Sequence, residues 1–294
     1  MTKAFRFLNT VKEFPEFKLG PLNFELEPGT VLGYIGPNGS GKTTTMHCLV
    51  GLLRADSGKM EIFGRENNPN DAAWKFDIGY VGDKHVFYEN WSGEKNLKFL
   101  SQFYPDWSHK YAEELIKRFE VPIHKRAKDL SSGNRVKLSL ISALAHSPKL
   151  LILDEPTAGL DPVVRAEVLD TFFETVEGGE RAIFYSTHIL SDISRLADEL
   201  AFLKEGQVIM RETKDDLTEK WRRISFKISS GKPSFRNVSS FEREGDNFIV
   251  ISNNFNSTLS QLREMGAESI KDSRMTIDEI TVQILKGKNN VANS

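Results

Sequence analysis

The alternation of apolar and polar positions divides the chain into a long first part and a short second one. Leu22, Phe24 and Leu26 alternate with Asn23, Glu25 and Glu27, as on an antiparallel strand buried on one face. Pro28-Gly29 then makes a turn, and residues 31–35 form a short apolar run. Two further runs, 150–153 and 182–186, are apolar without alternation, the pattern of strands covered on both faces of a parallel sheet. Residues 57–64 read as turn, short strand, turn, residues 65–75 as a polar loop, and residues 78–81 as a short strand ending at Gly82-Asp83. Helical spacing follows at 44–53 and at 93–120, where Leu97, Leu100 and Phe103, then Tyr111, Leu115 and Phe119, recur and Pro105 separates two helices. It recurs at 134–146, entered through Leu130-Ser131-Ser132-Gly133, at 162–176, closed by Gly178-Gly179, and at 190–197. A hairpin is predicted over 200–210.

The second part has its own pattern. Residues 211–222 are charged and read as a short helical linker; Ile224, Phe226 and Ile228 alternate; 248–251 make another strand; 257–266 and 276–286 are helical. The expected layout is an α/β domain over 1–212, with a parallel-sheet core, an antiparallel β subdomain and a helical subdomain at about 90–148. A linker at 213–222 and a small α+β domain over 223–294 follow. That last piece is close to the lower size for independent folding.

Composition narrows the class. Of 294 residues, 39 are Lys or Arg and 41 Asp or Glu, a net charge of −2 that gives no bulk attraction to nucleic acid or anionic lipid. No run approaches the roughly 18 apolar residues of a spanning helix, and the first residues lead into no signal-peptide core. The single cysteine, Cys48, has no disulfide partner and no metal-site spacing, so it reads as core filler. A soluble cytosolic chain is expected.

The chemistry centres on Gly36-Pro37-Asn38-Gly39-Ser40-Gly41-Lys42-Thr43-Thr44, placed between a strand and a helix. Glycine, four free positions, glycine, lysine and a hydroxyl residue is the phosphate-cradling loop pattern. Its backbone N–H groups form a nest beside a helix N-terminus. Lys42 would reach the β- and γ-phosphates of ATP, and Thr43 would ligate Mg²⁺. The strand at 150–153 ends in Asp154-Glu155, and the strand at 182–186 is followed by Thr187-His188. Strand C-terminal ends are where ligands bind in open parallel sheets. Asp154 is therefore a candidate metal ligand, Glu155 a general base for the attacking water, and His188 a contact for the γ-phosphate and that water. An acidic pair can also be a helix cap, and a lone histidine structural; the glycine loop turns both toward the functional reading. Phe14 and Phe17 lie on an expected loop upstream; one of them could stack on an adenine ring, or both are core or edge aromatics.

These pieces, in this order, resemble the ATP-binding subunits of ABC transporters, over about residues 3–212. By similarity, residues 36–44 are the Walker A motif, 150–155 the Walker B motif, Ala158-Gly159-Leu160-Asp161 the D-loop and His188 the switch histidine. Phe14 falls nearest the family's adenine-stacking aromatic. Leu130-Ser131-Ser132-Gly133-Asn134 takes the place of the signature Leu-Ser-Gly-Gly-Gln, with Ser132 and Asn134 as departures, so that Ser131 and Gly133 would meet a γ-phosphate. Asp83 stands where the family has the Q-loop glutamine and is a third candidate metal ligand. The resemblance implies a P-loop ATPase fold, ATP and Mg²⁺, and a head-to-tail sandwich in which each ATP lies between one chain's Walker A and the other's signature. It also implies a separate membrane permease, driven through a groove that His85, Phe87, Tyr88 and Trp91 could line, although these aromatics could equally be packing. The expected location is the cytoplasmic face of the membrane.

Within the family, Phe103-Tyr104-Pro105-Asp106-Trp107 and the C-terminal appendage look like bacterial exporter subunits, the group that expels antibiotics and peptides. A homodimer is favoured over pairing with a different ATPase, and no nucleic acid is expected. The alternatives are a non-transport ABC ATPase and a weakly hydrolysing regulatory subunit. The first usually carries paired domains or basic extensions that this sequence does not show; intact Glu155 and His188 speak against the second.

Overall fold

The computed structural model describes residues 2–68, 70–228, 233–236 and 238–287. By its internal contacts the chain falls into two units, Met1–Met210 and Arg211–Ser294.

In the first unit, β1 (Phe5–Phe14) and β2 (Phe17–Leu26) form a hairpin. With β4 (Ser57–Ile62) and β5 (Arg65–Glu66) they make a four-stranded antiparallel sheet of order β2-β1-β4-β5. The second sheet has the order β10-β9-β3-β8-β7-β6. It is built from β3 (Val31–Ile35), β6 (Ile78–Val81), β7 (Leu150–Asp154), β8 (Ala182–Ser186), β9 (Glu199–Lys204) and β10 (Gln207–Thr213). Strands β9, β3, β8, β7 and β6 run parallel. Every residue of β3, β7 and β8 is buried, which is why these strands lack alternation in the sequence.

An aromatic junction joins the two sheets. Phe5 from the antiparallel sheet and Tyr34 from β3 both pack on Phe184 of β8, at ring-centroid distances of 5.0 and 5.1 Å, and Phe24 stacks on Tyr34 at 5.9 Å. Each such pair adds about 0.5–1.5 kcal/mol to the burial of its rings.

Helix α1 (Lys42–Leu49) follows β3. Helices α2 (Gly93–Leu100), α3 (His109–Arg118) and α4 (Ser132–Leu144) form the helical subdomain. Ser92, Ser108 and Ser131 cap their N-termini by accepting from Lys95, Tyr111 and Asn134 backbone N–H groups. Helices α5 (Pro162–Val176) and α6 (Leu190–Leu196) follow β7 and β8.

Two local expectations change. Phe14 and Phe17 are not on a loop: Pro15-Glu16 alone turn the hairpin, and the two rings end paired strands. The segment expected as a polar loop at 65–75 contains β5 and a single 3₁₀ turn, Ala73–Asp77, because Trp74 is buried there and its indole N–H donates to the Asn68 carbonyl at 3.2 Å.

In the second unit, β11 (Arg222–Lys227), β12 (Val238–Glu244), β13 (Asn247–Ser252) and β14 (Glu268–Arg274) form an antiparallel sheet of order β12-β13-β11-β14. Helix α7 (Lys214–Lys220), within the segment expected as a linker, packs against α8 (Phe255–Glu264) and α9 (Ile277–Lys286). Phe226, Phe248 and Phe241 stack in a ladder at 5.6 Å spacings over Leu262 of α8. Residues 229–232, 237 and 288–294 of the expected C-terminal domain lie outside the described residues.

Phe184→Ala should cost about 3–5 kcal/mol, the scale of a deleted core ring. The urea midpoint of the first unit measures it, and a loss below about 1 kcal/mol would show that the sheets do not depend on this junction.

Candidate functional site

The glycine loop is shaped by what crowds it. A Cβ on Gly36 would lie 2.4 Å from the Leu203 carbonyl oxygen at the end of β9. Gly41 has φ +108°, and a Cβ there would lie 2.9 Å from the Phe17 ring. The left-handed backbone and the missing side chain together require glycine. The loop closes on Lys42, whose ammonium donates to the Gly36 carbonyl at 2.8 Å and the Pro37 carbonyl at 3.3 Å, with Glu155 Oε1 at 3.9 Å. Lys42 is 7% exposed. Burial holds its ammonium below the usual lysine range, and the Glu155 and Asp154 carboxylates pull it back. Thr45 anchors the helix start by donating to the Gly41 carbonyl at 2.9 Å. Ser40 Oγ is buried without a protein partner. Lys42, Thr43, Asp83 and Glu155 face one cavity of about 400 Å³, which Asn38, Gly39, Gly41, Thr44 and Phe17 complete.

Strands β7 and β8 bring the remaining groups alongside. Asp154 pairs in register with Ser186, and the Ser186 hydroxyl donates to its Oδ1. Its other oxygen, Oδ2, is fully buried and has no protein partner. A carboxylate oxygen left so at a strand end fits a metal ion, as does the Thr43 hydroxyl in the first turn of α1. Glu155 adopts φ +51°, a left-handed conformation costing of order 1–3 kcal/mol in a residue with a side chain. Its N–H donates to the Ser186 carbonyl at 3.0 Å. Glu155 Oε2 accepts from His188 Nδ1 at 2.7 Å and from the His188 backbone N–H at 3.3 Å. A carboxylate only accepts, so the proton of the ring contact sits on Nδ1.

A support that sequence reasoning missed lies beneath. Asp192, 1% exposed, accepts from Thr157 Oγ1 at 2.6 Å, from the Tyr185 hydroxyl at 2.9 Å and from Arg165 Nε at 2.7 Å. It ties the chain after Glu155 to β8, α5 and α6. The available signal was a carboxylate one turn after His188, among the buried Ile193 and Leu196 of a short helix.

Other candidates are placed elsewhere. Phe17, not Phe14, walls the cavity, because Phe17 packs on Gly41 while Phe14 is 41% exposed and 6.2 Å away from the Phe17 ring. Ser131 caps α4, and neither it nor Gly133 lines the cavity around Lys42. Ser132 is the first residue of α4 and has no left-handed backbone, so its side chain imposes no strain. A cleft of about 540 Å³ is lined by His85, Val86 and Phe87, with Leu52 and Tyr104. Tyr88 and Trp91 do not line it; they stack on each other at 4.3 Å, with the Lys95 ammonium 4.2 Å over the Trp91 ring. Cys48 is buried as expected.

A buried ammonium ringed by a glycine nest, with a strand-end carboxylate short of a partner, suits a polyphosphate accompanied by its cation, which makes this a P-loop nucleoside triphosphatase. Comparison with known proteins gives the family. Residues 19–158 match the ABC transporter family. The ABC transporter ATP-binding protein YtrB of Bacillus subtilis is 28% identical over 274 residues, 92% of this chain and 94% of its own. The bacitracin transport ATP-binding protein BcrA of Bacillus licheniformis is 32% identical over 211 residues, 71% of this chain and 69% of its own. The structure of an ATP-binding subunit of an ABC transporter superposes with a TM-score of 0.68 at 26% identity, covering 74% of this chain and 92% of that one. The chain belongs to the ATP-binding subunits of ABC transporters: it binds ATP, hydrolyses it, and serves a transporter whose membrane part is a separate permease component. Among the described residues no helix is long and apolar enough to cross a membrane.

Phe17→Ala should weaken ATP binding about 5- to 150-fold, the worth of one base–ring stack, and Phe14→Ala should change it less. Titration with a fluorescent ATP analogue tests this, and the reverse order would return the adenine to Phe14.

Proposed function

We propose that this chain is the ATPase of an exporter and works as a head-to-tail homodimer on the cytoplasmic face of the membrane. The observation that carries the mechanism is the His188–Glu155 pair beside Lys42. Export is supported by kinship with a bacitracin transport ATP-binding protein. The homodimer is supported by the separation of Ser131 and Gly133 from this chain's own cavity: the Ser131 oxygen caps α4, and its O–H proton, with the helix-start N–H of Gly133, can be offered to a second copy's site.

In this reading the Gly36–Lys42 loop binds the β- and γ-phosphates, and Phe17 supports the base. Thr43, Asp154 and Asp83 would hold Mg²⁺, which when bound neutralises phosphate charge. Glu155 accepts the proton of the attacking water, and His188 fixes the orientation of the glutamate and contacts the γ-phosphate through the second copy's approach. The exposed Val86 and Leu52 at the rim of the 540 Å³ cleft give an apolar seat for a permease segment. Gly82-Asp83 connects that cleft to the nucleotide cavity, since Gly82 lines the first and Asp83 the second. The unit from Arg211 onward, with a core of its own, tunes pairing and takes no part in hydrolysis.

Glu155→Gln should retain ATP binding, lower turnover at least about 100-fold, the scale of a lost general base, and accumulate an ATP-dependent dimer in sedimentation. Lys42→Ala should lose ATP binding by calorimetry. Wild-type activity per chain should rise with protein concentration. Undiminished turnover in Glu155→Gln, or a rate independent of concentration, would overturn the base assignment or the shared site respectively.

A further inference from the structure

Arg135, in the first turn of α4, directs three of its four guanidinium hydrogen bonds at the segment between β6 and α2. Nη1 and Nη2 donate to Glu89 Oε2 and Oε1 at 2.9 and 2.7 Å, Nη2 also to the His85 carbonyl at 2.9 Å, and Nη1 also to the Ala127 carbonyl at 2.9 Å. One turn further along α4, Ser139 Oγ lies 3.0 Å from His85 Nδ1. The segment between β6 and α2 is thereby held to α4 at a backbone carbonyl, a carboxylate and an imidazole. It has no regular structure of its own over residues 82–87. Two residues before His85 stands Asp83, which faces the cavity of Lys42 and Glu155. Three and four residues before Arg135 stand Ser132 and Ser131, at the cap of α4.

We propose that Arg135 is a positioning residue that makes the Asp83 loop and the Ser131–Gly133 turn move as one body, so that the state of this chain's own nucleotide sets the turn it presents to the second copy. The proposal rests on the shared-site reading above. A planar guanidinium holds a carboxylate through both nitrogens while its remaining N–H groups reach carbonyls, a geometry that a lysine cannot copy. The connection is short: Asp83 and His85 are two positions apart in the chain, and the residue that holds the His85 carbonyl belongs to the first turn of the helix that carries Ser132 and Gly133.

The test is a double-mutant cycle in the full-length chain, because Asp83 and Arg135 share no hydrogen bond and a merely structural Arg135 would leave their effects additive. Arg135→Gln should lower kcat about tenfold while the Kd for an ATP analogue stays within about twofold. Arg135→Lys should fall between. Asp83→Asn should lower kcat in the wild-type background and have little further effect in Arg135→Gln. Should Arg135→Gln fail to fold, Glu89→Gln, which removes the same two-pronged contact from a half-exposed side chain, carries the same expectations. Additive losses, or a wild-type kcat in Arg135→Gln, would overturn the proposal. Gly133→Asp, assayed beside them, separates the two levels. If it turns over like wild type, the shared site fails and the proposal with it. If it is inactive while Arg135→Gln is unimpaired, the role of Arg135 alone fails.

Discussion

The buried ammonium of Lys42 is the constraint on which the rest depends. An unpaired cation with 7% exposure would pay a desolvation cost of several kcal/mol. Here the Gly36 and Pro37 carbonyls and the nearby Glu155 carboxylate offset it. Those carbonyls can turn inward only if the loop curls, and the curl requires left-handed backbone at Gly39 and Gly41. The position of the loop in turn follows from β3, buried on both faces between β8 and β9. The parallel sheet, the aromatic junction that covers it and the glycine spacing can be read as the means of holding one lysine where a polyphosphate can reach it.

Glu155 carries the second constraint. Its left-handed backbone is unfavourable and persists because three things hold it: the N–H to Ser186, the double contact with His188 and, behind it, the Asp192 network anchoring Thr157 and Tyr185. Strain of this kind persists only where the surroundings over-determine the backbone, as they do here beside the glycine loop. Asp192 also holds Arg165 of α5, whose cap Asp161 closes the D-loop. Glu155 and the turn that enters α5 therefore share a single buried carboxylate as their footing.

Much of this was legible because the signals were local. A strand, a glycine loop and a helix are contiguous in the chain, so the P-loop could be placed from its own residues. Strands β3, β7 and β8 announced themselves by uninterrupted apolarity, and α5 by its Asp-Pro entry and Gly-Gly exit. Strands β12 and β14 did not: they are edge strands of mostly polar residues, none of them fully buried, and so carry no alternation to read. The choice between Phe14 and Phe17 depended on which ring meets Gly41, and the Arg135 and Asp192 contacts join residues up to 50 positions apart. Separations of that kind leave no periodic trace.

The departures from the family pattern differ in physical weight. Ser132 sits at the first position of α4 in helical backbone, so its side chain brings no strain to the turn. Asp83 changes charge. It lines the cavity with Lys42 and Glu155, while the Glu155 and Asp154 carboxylates act on the Lys42 ammonium. Asp83 is solvent-exposed, so its charge is screened, whereas that of Asp154 is fully buried and calls for a cation beside a bound polyphosphate. Asp83 also stands on the loop that Arg135 holds at the His85 carbonyl, so its place beside the cavity depends on a contact made from α4.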